Sequence, residues 1–171
     1  GLCLVGSEMC IRDRTKEALG QDWLDSRNKY LCEKASSIWE KNPRLEFMGG
    51  NRSPKLPIFS FRVMDGNGGY VHHQFFTRLL SDVAGVQARG GCACAGAYAH
   101  RLLGINQEQS AIIEQSVKHG NELEKPGWIR LNLSAIMTDD KVDRVISAID
   151  DLALSAMNYQ SCLLYTSPSP R

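Results

Sequence analysis

Between Thr15 and Asn42, apolar residues recur at helical spacing, with Trp23, Tyr30, Leu31, Cys32, Ala35, Ile38 and Trp39 marking one stripe. One helix is predicted there. Lys41-Asn42-Pro43 ends it, because proline disfavours the α region for the residue before it. Leu45–Met48 (LEFM) reads as a short strand, and Leu56–Val63 (LPIFSFRV), rich in aromatic and β-branched residues, as a second. GGNRSPK between them is a turn-rich connection, and DGNGG after the second strand is a loop. From His72 to Ala84 the stripe Phe75, Phe76, Leu79, Leu80, Val83 predicts a helix. Val86–Ala88 is the expected strand that leads into the segment RGGCACAG. Ala97–Leu103 and Gln107–Lys118 read as helices, and NELEKPG as a loop.

The cleanest alternation lies in WIRLNLS (Trp128–Ser134). Ile129, Leu131 and Leu133 point one way, while Trp128, Arg130, Asn132 and Ser134 point the other. Thr138 is a good N-cap, and Asp139 and Asp140 suit the first turn of a helix. Val142, Val145, Ile146, Ile149, Leu152 and Ala156 give that helix one apolar face. Four short strands separated by helices predict an α/β layer of the α+β small-domain kind, a short-stranded sheet covered by helices.

Bulk properties narrow the function only by exclusion. The chain has 171 residues, 43% hydrophobic and 23% charged, with a formal net charge of +1. That balance gives no reason to expect nucleic acid or an anionic membrane as partner. No apolar run approaches the ~20 residues that cross a bilayer. The two ends change the picture more. LVGSEMCIRD (Leu4–Asp13) and CLLYTSPSPR (Cys162–Arg171) can be encoded by opposite strands of one DNA segment, and they resemble sequencing-adapter DNA translated at both edges of a read. Residues 1–14 and 162–171 are therefore expected to be non-native tails, and 15–161 an internal piece of a longer protein. Excluding the tails reduces six cysteines to Cys32, Cys92 and Cys94. So few cysteines indicate a reducing, cytoplasmic setting rather than a disulfide framework.

Cys92 and Cys94 stand one residue apart in RGGCACAG (Arg89–Gly96). Inert burial is the ordinary fate of a cysteine, although three glycines around this pair favour an irregular loop. Zinc usually takes cysteines two to four residues apart with a second pair downstream, and His72, His73 and His100 stand at no usual ligand spacing. A reactive thiolate would gain from the positive charge of Arg89 and Arg101 nearby in sequence, with His100 as a base. Arg130, with Asn132 beside it on the polar side of its strand, could be a solvated surface charge or a fork for a carboxylate. A thiol loop together with a carboxylate-reading arginine points to chemistry on an amino acid or small acid.

These residues also form a family pattern. VQARGGCACAGAYAHRLLGI followed by KPGWIRLNLS resembles the C-terminal part of class V aminotransferases, the fold-type I pyridoxal-phosphate superfamily that includes cysteine desulfurases and selenocysteine lyases. The resemblance covers Thr15 to Asn158, and its most specific piece is Arg-x-Gly-x-x-Cys-Ala at Arg89, Gly91, Cys94 and Ala95. It implies a C-terminal small domain and pyridoxal 5′-phosphate as cofactor, bound through a lysine in a large domain upstream. It further implies a small amino-acid substrate, a homodimer and a sulfur-acceptor protein. Cys94 takes the place of the persulfide-forming cysteine, and Arg130 that of the arginine holding the α-carboxylate, with Arg89 and Asn132 beside it. The sequence departs from the desulfurase pattern at Cys92, Ala93 and Ala97. A transaminase without covalent cysteine chemistry and a Cys/His metal-binding module are the other readings.

Overall fold

A computed structural model describes residues 4–49, 56–91, 96–121 and 125–160. Its elements in chain order are α1 (Leu4–Leu19), α2 (Gln21–Trp39), β1 (Leu45–Phe47), β2 (Ile58–Met64), β3 (Tyr70–Val71), α3 (His73–Ala84), β4 (Arg89–Gly91), α4 (Gly96–Leu103), α5 (Gln107–Lys118), β5 (Trp128–Asn132) and α6 (Asp139–Ser155). A short 3₁₀ turn, Ala156–Tyr159, follows.

The strands form one sheet in the order β1-β2-β5-β4, with β3 continuing along β2 beyond the end of β5. Every pairing is antiparallel. The architecture is therefore α+β, and the looser α/β description is corrected: each strand runs opposite to its neighbour, so no parallel crossover unit is present among the described residues. Alternation along β2 puts Phe59, Phe61 and Val63 on one face, where Ile129, Leu131, Leu133, Leu45 and Val71 join them in the core. That face is covered by α2, α3 and α6, which contribute Leu31, Ala35 and Trp39, then Phe76, Leu79 and Leu80, then Val142, Ile146 and Ile149. Trp39 is the centre of the packing. Its ring meets Phe59 edge-on at 4.9 Å and stacks on Phe47 at 5.9 Å, while its indole N–H donates to the Ile146 carbonyl at 3.0 Å. Burying an indole this deeply requires such an acceptor.

Several expectations shift. The single helix expected from Thr15 is two helices: Gly20, at φ 77, separates α1 from α2, and α1 begins at Leu4, inside the segment set aside as a tail. Trp23, Tyr30 and Ile38 are exposed, so the buried stripe of α2 is narrower than its apolar residues suggest. The two-residue strand β3 was not anticipated, and DGNGG is the tight turn before it. There the Asp65 carboxylate accepts from the Asn67 and Gly69 amides at 2.7 and 2.9 Å.

The strand expected at Val86–Ala88 falls three residues later, at Arg89–Gly91. The reason is local. Gly85 closes α3 in the left-handed conformation, and the Val86 amide then bonds back to the Leu80 carbonyl at 3.0 Å, as in a Schellman cap. Val86 is thus buried as the apolar contact of a helix end, and pairing starts only beyond it. At α6, Thr138 occupies the N-cap position without a side-chain capping bond. Arg27 of α2 organises that end instead, donating to the carbonyls of Ala135 (3.2 Å) and Met137 (2.8 Å) and ion-pairing with Asp139 at 2.7 Å.

Candidate carboxylate-binding site

The register places Arg89 of β4 directly opposite Arg130 of β5, and Arg130 in turn opposite Ser60 of β2. Residues directly opposite share a face, so the two guanidinium groups emerge together on the side of the sheet away from the core helices. Arg130 is half-buried and Arg89 exposed. Asn132 lies two positions further along the same face, opposite Ile58, and is exposed. Three of the residues singled out from sequence are therefore brought to one face by two adjacent strands.

Like charges facing each other across a ladder are unfavourable. The third arginine of this face shows how the cost is usually met: Arg62, opposite Glu46, donates to that carboxylate at 2.8 Å, bonds the Tyr70 hydroxyl at 2.9 Å and stacks over the Tyr70 ring at 3.8 Å. Among the described residues, Arg89 and Arg130 have no such acid. Two forks on adjacent strands, with a serine hydroxyl in line, suit a carboxylate supplied from outside the described residues.

Cys94, and Cys92 with it, lie outside the described residues, as do Ala93 and Ala95. The chain is described again from Gly96, where α4 carries a half-buried His100 and an exposed Arg101. Cys32 is a buried thiol of the core. Among the described residues, no group of three or more His, Cys, Asp or Glu side chains is placed to hold a metal ion.

His72 and His73, to which the sequence assigned nothing, turn out to be central to this end of the sheet. Their rings lie 4.3 Å apart, and His73 is only 6% exposed. Burial, with a smaller contribution from His72, pushes the His73 imidazole down from 6.5 to about 4. Space for it is made by glycine. A Cβ on Gly90 would stand 2.9 Å from the His73 carbonyl oxygen, and one on Gly127 would stand 2.9 Å from His73 Cε1 and 2.8 Å from the Gly91 backbone. Two of the glycines that made RGG and KPG look like loop signals are thus sites of close approach between α3 and the sheet. No single-chain pattern announces this, because the close approach exists only once β4 and β5 are aligned.

Beyond the last β2–β5 pair, Phe61 with Ile129, the edge of β2 passes to β3 at Val63–Val71. A cleft of about 250 Å³ opens where the two strands part, and its walls include Arg62, Tyr70, His72, His73, Lys125 and Trp128.

Lys29, Lys34, Lys118 and Lys125 do not fit a pyridoxal-phosphate cradle, which needs an aldimine lysine and an acidic partner for the pyridine nitrogen. Lys34 is held protonated by its hydrogen bond to Asp143, the opposite of what a nucleophilic amine needs. Lys29 and Lys118 pair with Glu33 and Glu114 on helix surfaces. Lys125 reaches the cleft, but none of the described lining residues is acidic. No helix among the described residues is long and apolar enough to cross a membrane. Comparison with protein-family models gives no match, and comparison with curated proteins gives none either.

Proposed function

We propose that this chain is the substrate-side part of a pyridoxal-phosphate enzyme of the class V aminotransferase type, fold type I, acting on an amino acid. The observation that carries this reading is the facing pair Arg89–Arg130, two guanidinium groups on adjacent strands with no acid of their own among the described residues. Their work is to bind and orient: the planar forks hold the α-carboxylate in one plane, and Asn132 and Ser60 supply further hydrogen bonds along the same face. The cofactor would supply the electron sink for bond cleavage at the substrate's carbons, and its lysine would come from outside the described residues. In the desulfurase or lyase form, Cys94 is the thiol that receives the substrate's sulfur, and the partners are a sulfur acceptor and a second subunit.

The test is made on the intact enzyme containing this segment. Arg130→Lys is expected to lower kcat/KM at least tenfold, because an ammonium cannot reproduce the fork. Cys94→Ala is expected to abolish sulfide release from cysteine. Unchanged kinetics for the arginine variant would return Arg130 to a surface charge. Retained turnover without Cys94 would leave a transaminase that uses no covalent thiol.

A further inference from the structure

The open face of the sheet is ordered in rows. One row is Arg89–Arg130–Ser60, and the next along the strands begins Gly91–Trp128 and reaches Arg62–Glu46 on the far side of β2. Successive same-face positions on a strand lie about 6.6 Å apart. The second row has two properties the first lacks. Gly91 contributes no side chain opposite Trp128, whose indole is nonetheless buried at this end of the sheet. Its other members, Trp128 and Arg62, open with Tyr70 and the His72–His73 pair onto the cleft of about 250 Å³ between β3 and β5. Five of the twelve lining residues carry planar groups, an indole, a phenol, two imidazoles and a guanidinium already stacked on the phenol, and aliphatic side chains such as Leu103 and Ile105 complete the walls.

We propose that this cleft receives the side chain of the acid whose carboxylate is held by Arg89 and Arg130, and that the side chain carries a planar ring. The inference rests on the carboxylate reading above and adds to it the class of substrate. One row of spacing is the distance from a carboxylate to a ring across a short methylene linker. A small acid such as alanine or cysteine engages the first row only and leaves the cleft unfilled. A ring acid uses both rows, and stacking on aromatic walls rewards it. The same arrangement favours a ring-bearing amino acid over cysteine as the bound acid.

The experiment uses the 171-residue chain and three probes: 3-phenylpropionate, propionate and 3-phenylpropan-1-ol. Dissociation constants are read by amide chemical-shift titration. 3-Phenylpropionate is expected to bind at least tenfold more tightly than propionate. That advantage is expected to shrink in Tyr70→Ala, a tolerant position because Tyr70 is 46% exposed. Arg130→Lys is expected to reduce 3-phenylpropionate to the level of the alcohol. Equal binding of the ring acid and propionate would overturn the cleft and leave the carboxylate reading standing. Ring-acid binding indifferent to Arg130→Lys would overturn the coupling of the two rows and the carboxylate reading with it. Binding of neither acid would overturn both.

Discussion

The buried imidazole of His73 makes the stability of this fold depend on pH in a defined window. In the unfolded chain the ring titrates near 6.5, and in the folded protein its burial brings it to about 4. Above pH 6.5 the ring is neutral in both states and contributes no slope. As pH falls from 6.5 towards 4, the unfolded chain takes up a proton that the folded one refuses, so stability is lost across that interval. At about 1.4 kcal/mol per pH unit the full loss over that interval is about 3.5 kcal/mol. At pH 4.5 the loss is not yet complete, and with the ring on a cleft wall it is expected to be about 2 kcal/mol. His73→Gln removes the titration while keeping a polar side chain that can lie against Gly90 and Gly127. The assay is urea unfolding followed by tryptophan fluorescence at pH 7.5 and 4.5, for both proteins. With a slope of about 2 kcal/mol per molar urea, the wild-type midpoint is expected to fall about 1 M further than that of the variant. Equal shifts in the two proteins would show that His73 titrates normally, and the account of its burial between the strand glycines would fail with it.

Two further outcomes follow from the packing. Arg130→Gln is expected to raise stability in low salt by a few tenths to about 1 kcal/mol, because it removes one member of a facing like-charge pair. The gain should fade in 0.5 M salt as screening takes over, and thermal unfolding at both ionic strengths checks it. Gly90→Ala is expected to cost about 1–3 kcal/mol, since the added Cβ would meet the His73 backbone at 2.9 Å in a strand that pairs with β5 along one edge and packs against α3 through its face. Denaturant midpoints at neutral pH measure this directly.

The core was legible where one periodicity ran long enough to be unambiguous. The alternation of WIRLNLS placed Ile129, Leu131 and Leu133 inward and Arg130 outward, as the structure has them. The apolar face of α6 was equally plain. Trp128 is the instructive departure. Alternation assigns it to the outer face, yet it is buried there, where Leu103 at the end of α4 and Ile105 just beyond it line the same cleft. Such burial depends on what another segment brings over, which local pattern does not carry. The displaced strand at Arg89–Gly91 has a similar origin, since a helix cap claimed Val86 before the sheet could. For the candidate site, residue type pointed to Arg89, Arg130 and Asn132, but that Arg89 faces Arg130 is a fact of register. His73 could be weighed only as a metal ligand at no usual spacing and had no role beyond a helix end: its meaning lies in glycines 17 and 54 positions away along the chain.

The pairing of β2 with β5 has a consequence for how the protein comes into being. Ile58 meets Asn132, and among the described residues between them only the two of β3 pair along that edge of β2. Closing so long a loop is only modestly costly at equilibrium, because the entropy grows with the logarithm of its length. It is slow, however, and on a ribosome it must wait until residue 132 has emerged. Until then IFSF, the part of β2 that β5 will cover, presents unpaired backbone groups flanked by phenylalanines, the kind of edge on which chains associate. The arginine-bearing strand that completes the site is therefore also the one that closes this edge in the nascent protein.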